Sequence, residues 1–569
     1  MKKKFCYYFS VFTILYSLLI THYSFSQVEL VDVRNPVYGF LKRMQLKEII
    51  PDYNSSAIPV SRGQIGKYLI TIKNNISRIT LTDKALLKDY EVEFEYDMYG
   101  KTNDQINLFT KSGMNNLFSR NKQKHLYFYT DSTKTFFSEL IGAVSIRGSS
   151  GDSIGDNSIF LGAPGFQARG TFYNSVAYFI AVSKGYFSNA DDSDIIFAAD
   201  TDPSLKGNYS FANDKKNFNS FEGYLRYQTK GDWLALTFGK TPLNFGFGYI
   251  DKMFMSNNSV PFSFGNLNIK YKAINYSFTY GSIDGDSVGV YPYYSARPLS
   301  SKNIATHNLN ISFSDAFNFG LWESIIISNQ PFSFTYFNPI SFLTSADLSS
   351  GKEKTEENNA LLGIETEIIP FRSLSFQGTL LIDDLTLGEL WKTDSLNENK
   401  FGWQFGALWT NEFNMNLSIE YTHLDPFVYS HRSNKSTYTN HLLSMGHALP
   451  PNSDEIAFKL DYDVSNKLKL VFLYQHQRSG EGIVVDSLGI LKANYGGNIN
   501  FGLGDAYLRT NRFLDGTRIN REIITAEAVW QPLKQFYFKG KFQYRIINNI
   551  TDDLKYKDSY YFATFGIDL

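Results

Sequence analysis

Residues 535–546 read QFYFKGKFQYRI, and their polarity alternates from one residue to the next. Apolar residues occupy every second position except Gly540: Phe536, Phe538, Phe542, Tyr544 and Ile546. The positions between them carry Tyr537, Lys539, Lys541, Gln543 and Arg545. Successive side chains of a β-strand point to opposite faces, so this period predicts a strand with one apolar and one polar face.

The same period recurs along the chain from about residue 136 onward. Clear examples are residues 373–383 and 455–463. Eighteen strand windows follow: 136–147, 165–172, 176–184, 218–228, 232–240, 264–270, 274–281, 305–313, 318–327, 361–369, 373–383, 402–410, 415–424, 455–463, 467–477, 522–530, 535–546 and 558–569. All 16 prolines fall outside them, as expected of strands whose residues must donate to a hydrogen-bond ladder.

The connections between these windows alternate in length. Short turns are expected at 229–231, 370–372, 411–414, 464–466 and 531–534, and long polar segments at 185–217, 328–360, 425–454 and 478–521. A β-sandwich has no reason to sort its loops in this way, whereas an outer-membrane β-barrel does. Eighteen strands with eight turns and nine loops place both ends of the barrel on the periplasmic side. Residues 125–130 also look extended. We leave them outside the barrel, because a further strand would make the number of strands odd.

Composition and the amino terminus favour export. The 569 residues are 16% aromatic and 20% charged, with 55 basic against 56 acidic residues, so a nucleic-acid partner is not expected. Residues 1–26 resemble a cleaved signal peptide, with Lys2 to Lys4 before the apolar run 11–20. The one cysteine, Cys6, lies in that segment, so the mature chain is expected to lack disulfides, thiol catalysis and cysteine-bound metals.

Residues 27–100 predict a small helical segment on the periplasmic side, followed by a connecting segment 101–135 and the barrel 136–569. Pro36 suits the first position of a helix, and Ser61 with Gln64 forms a capping box. Thr82 is the expected cap of a third helix. Residues 92–98 alternate in polarity, so both helix and strand stay open there.

Three sets of stretches carry a family resemblance. The first is residues 238–281, which begin FGKTPLNFGFGYIDKMFMSNNSVPFSFGNL. The second is FNP at 337–339 with NNALLG at 358–363 and LIDD at 381–384. The third is EYT at 420–422 with DPFVYSH at 425–431, MGH at 445–447 and PNSD at 451–454. In this order they resemble the capsule assembly Wzi family of outer-membrane proteins. The resemblance implies an all-β, antiparallel transmembrane barrel of about 18 strands with a helical periplasmic part, and a role in retaining or assembling surface polysaccharide. One departure is NFGFG at 244–248, where the family often has a Trp-Gly-Pro-Gly-like stretch.

Two groups of residues are candidate binding groups. Side chains of sugar-contacting types in the exterior loops are Asn338, Asn358, Asp425, Tyr429, His431 and His447. The alternative is that they pack the loops onto the barrel rim. Polar residues expected to face the lumen are Asp383, Glu420, Lys459, Glu527, Lys539, Lys541 and Arg545. They form either a solvated, salt-bridged wall or a charged path for an acidic glycan.

Enzyme-like strings in the chain are better explained by turns. Gly151–Gly155 and Gly285–Gly289 both fit G-x-S-x-G, but no helical pattern follows either serine, as a nucleophile elbow requires. Residues 191–194 (DDSD) lack the later Gly and Glu of a calcium loop, and the eight histidines show no metal spacing. No catalytic residue, metal or cofactor is therefore predicted, and an outer-membrane hydrolase is the least favoured hypothesis.

The leading hypothesis is a non-enzymatic barrel in the outer membrane of a Gram-negative bacterium that binds or helps assemble a surface polysaccharide through its exterior loops. The expected partners are a capsular polysaccharide or exopolysaccharide, outer-membrane lipid and the polysaccharide export machinery, with the protein itself a monomer. The alternative is a porin-like diffusion or transport channel, because eighteen strands can enclose an aqueous lumen.

Overall fold

The computed structural model describes residues 27–188, 194, 197–198, 201–202, 205, 217–284, 301–328, 332–344, 358–385, 399–431, 434–485, 491–501, 508–509 and 512–569. The predicted signal peptide 1–26, the DDS of 191–193 and the second G-x-S-x-G string at 285–289 lie outside these residues. No helix in the described ranges has the length and apolar character needed to cross a membrane.

Eighteen long antiparallel strands form the body of the protein. They are β1 Thr135–Gly151, β2 Asn157–Phe172, β3 Val176–Ser188, β4 Asn217–Gln228, β5 Leu234–Lys240, β6 Ser263–Tyr271, β7 Ile274–Asp284, β8 Ser301–Ser314, β9 Phe317–Ser328, β10 Asn359–Phe371, β11 Leu374–Asp384, β12 Lys400–Thr410, β13 Met415–Leu424, β14 Ser453–Ser465, β15 Leu468–Glu481, β16 Thr517–Leu533, β17 Phe536–Asn549 and β18 Leu554–Asp568. Each pairs with the next along the chain. The predicted number of strands is confirmed.

The sheet closes on itself when β18 pairs with β1, from Asp558 opposite Gly151 to Asp568 opposite Ile141. Closure leaves no unpaired sheet edge, which a lipid environment could not hydrate. The eight connections at one end, here called the short-turn end, span two to five residues. Seven of the nine at the opposite, long-loop end span 15 to 35 residues. The other two, 152–156 and 550–553, are short, so the predicted sorting of loops by length holds with two exceptions.

The two faces of the wall differ as the alternation predicts. On β11, Ser375, Gln377 and Thr379 are buried on the inner face, whereas Phe376 and Leu380 are exposed on the outer face. Exposed apolar side chains continue around the outer wall and include Leu225, Phe238, Phe405, Phe472 and Phe538. Such a belt is what the hydrocarbon region of a bilayer requires of a barrel.

Three prolines lie inside strands, which corrects the expectation that all would lie outside. Pro164 belongs to β2, Pro370 to β10 and Pro532 to β16. Each sits where the ladder is interrupted: the β2–β3 pairing skips Pro164, and the register shifts around Pro370 and Pro532. A missing N–H therefore costs nothing at these positions.

A short strand extends the barrel sheet. Tyr127–Thr130 pairs with the start of β1, from Tyr127 opposite Ser138 to Thr130 opposite Thr135. The segment predicted to stay outside the barrel is therefore hydrogen-bonded to it, although it does not contribute to the closed ring of eighteen. It occupies the edge of β1 below the point where β18 ends.

Residues before the barrel form a small helical body. The helices are α1 Val37–Leu46, α2 Arg62–Asn74, α3 Leu81–Glu93, α4 Glu95–Tyr99 and α5 Lys111–Asn115, with a 3₁₀ turn at Ile76–Arg78. Short strands Gln105–Asn107 and Gln123–His125 pair in parallel. Val37, Leu41, Ile65 and Leu87 belong to its buried apolar core.

The helix caps agree only in part with the sequence patterns. Ser61 accepts a hydrogen bond from the Gln64 amide, as predicted. The cap of α3 is Thr80 rather than Thr82, and Pro36 is itself the N-cap rather than the first helical residue. The ambiguous residues 92–98 are largely helical. Phe94 and Met98 pack in the core of the helical body, whereas the Tyr96 ring lies 6.1 Å from that of Phe137 on β1.

This helical body closes the short-turn end of the barrel. Arg43 is 1% exposed and binds Asp83 of α3 at 2.9 Å and Asp463 of β14 at 2.6 Å. Lys534 in the β16–β17 turn contacts Glu93 at 3.2 Å, and Thr80 donates to the Asn414 side chain at 2.7 Å. Charged and polar side chains of the turns thus hold the helices against the barrel mouth.

We expect Arg43→Ala to destabilise the docking of the helical body by about 3 kcal/mol, because it leaves Asp463 without this cation and leaves Asp83 with Lys47 alone, at 2.9 Å. Hydrogen exchange across α1 and α3 should rise sharply, at unchanged barrel content by circular dichroism. The matched control is Arg34→Ala. The Arg34 side chain, which pairs with Asp32, is 53% exposed, so loss of this ion pair should lower the stability of the protein by at most about 1 kcal/mol. Equal protection in Arg43→Ala and the native protein would contradict this role.

Candidate functional site

Two loops from the long-loop end fold back into the lumen. They connect β5 to β6 (residues 241–262) and β13 to β14 (residues 425–452). Their buried side chains pack against inward-facing apolar residues of the wall: Phe264, Ile283, Ile304, Trp322, Ile326, Leu361, Leu381 and Leu424. We call these two loops the lumen plug. Its Asn244–Phe245 pairs with Ala57–Ile58, so the plug meets the helical body inside the barrel.

Carboxylates of the wall hold the backbone of the first plug loop. Glu365 on β10 accepts the Phe247 amide at 3.0 Å. Glu420 on β13 accepts the amides of Tyr249 at 2.9 Å and Asp251 at 3.1 Å. An irregular loop cannot satisfy its own N–H groups, and a buried carboxylate is a strong acceptor for them. Glu420, predicted as a lumen-facing polar residue, is thereby engaged by the plug.

Tyr429 joins the two plug loops to each other and to the wall. Its amide donates to Asp383 of β11, its hydroxyl donates to the Met253 carbonyl at 2.6 Å, and its ring stacks on Tyr438 at 5.6 Å. Burial raises the pKa of the Tyr429 hydroxyl well above its usual value, so it remains a donor. Asp383 is therefore also an anchor for a loop.

The predicted sugar contacts do not converge on one surface. Tyr429, His447 and Asn358 are buried, and sugar could reach them only if the surrounding loops opened. His447 accepts from the Leu449 amide at 3.0 Å, and Asn358 donates to the Tyr336 hydroxyl at 3.0 Å. The remaining three are more accessible: Asp425 and His431 are half-buried at the rim, and Asn338 is exposed.

The inner wall opposite the plug carries a row of basic and aromatic side chains. Lys541 of β17 and Arg147 of β1 both register with Phe562 of β18, which lies between them. The Lys541 ammonium lies 5.2 Å from the centre of that ring, and the Arg147 guanidinium 6.0 Å. Nearby, Arg545 stacks on Tyr560 at 4.4 Å. We call Arg147, Lys541, Arg545, Tyr560 and Phe562 the basic row.

The basic row has an excess of positive charge. Within the described residues, Arg147 pairs with Asp202 at 2.7 Å, whereas neither Lys541 nor Arg545 forms an ion pair. Both are half-buried, as are the neighbouring Lys539 and Glu527, which pair at 2.9 Å. Lys459, farther round the wall, pairs with Asp461 at 3.1 Å. The inward positions predicted from alternation thus include both salt-bridged and unpaired cations.

Sequence reasoning did not single out Arg147, Tyr560 or Phe562. Their alternation places them on the polar face of their strands, but which strands become neighbours depends on closure between β18 and β1. It also missed Asn452, which is fully buried and donates to the carbonyls of Gly480 and Tyr495, both at 2.9 Å. A residue of the PNSD stretch thus connects two exterior loops, 425–452 and 482–516, and the end of β15 through its side-chain amide.

The first G-x-S-x-G string is a turn between β1 and β2. Ser153 donates through its amide to Asp558 at 2.9 Å and through its hydroxyl to the same carboxylate. Residues 152–156 lead into β2 rather than a helix. The Asp558 carboxylate holds Ser153 in the turn, and a strand follows the serine where a nucleophile elbow would have a helix, so this arrangement serves turn formation. Among the described residues, no three His, Cys, Asp or Glu side chains group as metal ligands.

The family model described as capsule assembly protein Wzi matches residues 162–549, well over half of the chain. The chain belongs to the Wzi family. The match covers the barrel from β2 to β17 and both plug loops, but neither the helical body nor β18. No protein in the curated set matches the chain.

One solved structure shares this architecture above a TM-score of 0.5, and two others are similar at lower scores. Wzi of Escherichia coli, described as an outer-membrane carbohydrate-binding β-barrel involved in group 1 capsule assembly, aligns at a TM-score of 0.53 and 12% identity, over 95% of this chain and 99% of that one. OccAB1 of Acinetobacter baumannii aligns at 0.44 and 8%, over 76% and 97%. OprD of Pseudomonas aeruginosa aligns at 0.41 and 10%, over 76% and 95%. The chain shares the β-barrel fold of the Escherichia coli structure.

The departure from the Wzi pattern at residues 244–248 lies in the plug. Phe245 and Phe247 are buried there, and Phe254 stacks on Trp322 of the wall at 4.4 Å with rings 5° apart. Gly246 has φ of +96°, and a side chain would meet Glu365 and Phe254 at about 3 Å. Trp322 of the wall therefore provides the aromatic ring that packs on the plug, and Gly246 permits the positive φ that the turn requires.

We expect Tyr429→Ala to loosen the plug by about 3–5 kcal/mol, since it removes a fully buried ring together with its hydroxyl contact. Tyr429→Phe should destabilise the plug by only about 1 kcal/mol, because it removes the hydrogen bond to Met253 but keeps the ring. Hydrogen exchange of residues 241–262 would measure both, and planar-bilayer conductance should rise in the alanine variant. Tyr271→Ala, at an exposed tyrosine, is the control. Unchanged exchange and conductance in Tyr429→Ala would refute the joining role.

Proposed function

We propose that this protein binds an acidic surface polysaccharide in the lumen, at the basic row, and thereby helps to retain or assemble that polysaccharide at the cell surface. The observation that carries the proposal is the half-buried position of Lys541 and Arg545, which form no ion pair with any residue that the structure describes, beside the rings of Phe562 and Tyr560. Membership of the Wzi family supports it, since the Escherichia coli member is described as carbohydrate-binding.

The chemistry of the row suits a charged glycan. Ammonium and guanidinium groups attract carboxylates or other anionic substituents, and the partly shielded lumen strengthens that attraction relative to open water. The half-buried ring of Phe562 offers an apolar surface to the C–H faces of sugars. Tyr560 is 3% exposed and packs against Phe197 of the β3–β4 connection at 6.2 Å, so its role is to position Arg545. Arg545 and Arg147 each lie four residues from the long-loop end of their strands, so the row lies toward that mouth. Asp425 and His431 at the rim are proposed as further contacts.

The orientation follows from the same proposal. The short-turn end with the helical body faces the periplasm, and the long loops face outward, where capsular polysaccharide or exopolysaccharide is held. Export relies on cleavage of a signal peptide at residues 1–26. The helical body is the surface offered to the polysaccharide export machinery, and a monomer surrounded by lipid is sufficient for this role. The function requires neither catalysis nor a cofactor.

The double variant Lys541→Gln with Arg545→Gln should bind acidic polysaccharide about 30-fold more weakly, from two half-buried charge contacts of about 1 kcal/mol each. Detergent-solubilised protein and a fractionated acidic capsular polysaccharide would be compared by calorimetry at two salt concentrations. Native affinity should fall as salt rises, and the variant should lose most of that dependence. Lys555→Gln, at an exposed lysine of β18, is the control. Equal affinity in native and double-variant protein would exclude the row.

Removal of the protein from its host should transfer polysaccharide from the cell surface to the medium. Cell-bound and released polysaccharide would be quantified in the deletion strain, in the strain complemented with native protein, and in that complemented with the double variant. Native protein should restore retention and the double variant should restore less. Unchanged cell-bound polysaccharide on deletion would contradict the proposed role.

A further inference from the structure

The connection between β9 and β10 includes a segment that lies against the outside of the barrel. Residues 332–344, here called the outer lobe, pack on side chains of β7 that alternate with the lumen-facing Ser277 and Thr279. The ring of Phe337 lies 6.0 Å from that of Phe278, and the ring of Phe332 lies 5.2 Å from that of Tyr280. Phe278 and Tyr280 therefore face outward, and the lobe covers them.

The lobe reaches well down the wall. The hydroxyl of Tyr276 donates to the Pro339 carbonyl. Tyr276 registers with Leu309, which lies eight residues from the long-loop end of β8. At about 3.3 Å per residue and a strand tilt of about 40°, the Cα of Tyr276 lies about 20 Å below that end. This depth is comparable with the height of the apolar belt of a barrel, about 25 Å.

A carboxylate on the outer face fixes the end of the lobe. Glu323 lies on β9 between Trp322 and Ser324, both of which face the lumen, so it points toward the membrane side. Its oxygens accept the Leu343 amide at 2.8 Å, the Thr344 amide at 2.6 Å and the Thr344 hydroxyl at 2.7 Å. It is 4% exposed. The lobe thus shields a charge that hydrocarbon could not solvate.

The side of the lobe away from the barrel is apolar. Phe334 is 81% exposed, Ile340 92% and Phe342 55%. Residues 329–344 contain no Asp, Glu, Lys or Arg. A loop surrounded by water would not expose so much apolar surface. This surface continues the exposed apolar belt of the neighbouring strands.

Part of the lobe backbone has partners within the protein. The Phe337 amide donates to the Ser333 carbonyl and the Ser341 amide to the Asn338 carbonyl. The Ile340 amide donates to the Asn338 side chain. Non-helical backbone at membrane depth must be covered by protein. Here the turns and the Glu323 carboxylate supply hydrogen-bond partners, and the outer face of β7 covers one side of the lobe.

We propose that the outer lobe is immersed in the membrane and that its exposed face, formed by Phe334, Ile340 and Phe342, binds the acyl chains of the outer leaflet. Glu323 anchors the lobe against the wall, and the lobe in turn excludes lipid from that carboxylate. This surface is distinct from the lumen and does not depend on polysaccharide binding.

Spin labelling tests the proposal directly, since the one native cysteine, Cys6, lies ahead of residue 27 in the predicted signal peptide. A nitroxide on Ile340→Cys would be compared in phosphatidylcholine liposomes with labels on Phe405→Cys, in the exposed belt, and Lys101→Cys, in an exposed turn near the helical body. Accessibility to oxygen and to a water-soluble nickel chelate would be measured. Phe342→Cys provides a second lobe position if the first variant fails to fold.

The lobe label should match the Phe405 label, with high oxygen and low nickel accessibility. Nickel accessibility equal to that of Lys101→Cys would overturn the proposal, as would protection from both reagents, which would mean that a second copy or another protein covers the lobe. Adding Glu323→Ala should raise label mobility and nickel accessibility several-fold, whereas Glu527→Ala should not. An immobile label in Glu323→Ala would refute the anchoring role. Polysaccharide affinity of these variants is measured separately, so the two proposals fail independently.

Discussion

Backbone amides of loops that leave the aqueous phase must find acceptors, and in this barrel wall carboxylates provide them. Glu365, Glu420 and Asp383 on the inner face accept amides of the two plug loops. Glu323 on the outer face accepts two amides of the outer lobe. A strand has no backbone groups to spare, because its ladder uses them, so side chains must do this work. The acidic residues on these otherwise regular strands therefore determine where the irregular loop segments can pack against the wall.

The position of the plug divides the lumen. The plug loops pack against inward-facing residues of β6 to β11 and β13, and the helical body closes the short-turn end. The wall formed by β17, β18 and β1 carries the half-buried charges of the basic row. An apolar core on one side and a basic surface on the other suit a fixed binding site better than an open pore, since a pore requires continuous water along its axis.

Periodicity predicted the barrel because a two-residue repeat places lipid-facing and lumen-facing residues without reference to tertiary contacts. The bounds of the windows 373–383 and 535–546 fall within three residues of those of β11 and β17. Capping chemistry was equally local: Ser61 acts as predicted, while Thr80 replaced Thr82 because two threonines two residues apart compete for one cap. Prolines 164, 370 and 532 entered strands at gaps in the ladder that no local pattern reveals.

The sequence by itself determined the strand number, the two faces of the wall and the inward direction of Asp383, Glu420, Lys541 and Arg545, because these depend on spacing along one chain. Only the tertiary structure decided that Asp383 and Glu420 bind loop backbone, that Tyr429 and His447 are buried in the plug, and that Arg147 and Lys541 flank Phe562. Those outcomes depend on which distant segments meet once the sheet has closed and the loops have folded back, and the closure that joins β18 to β1 brings together residues about 400 positions apart.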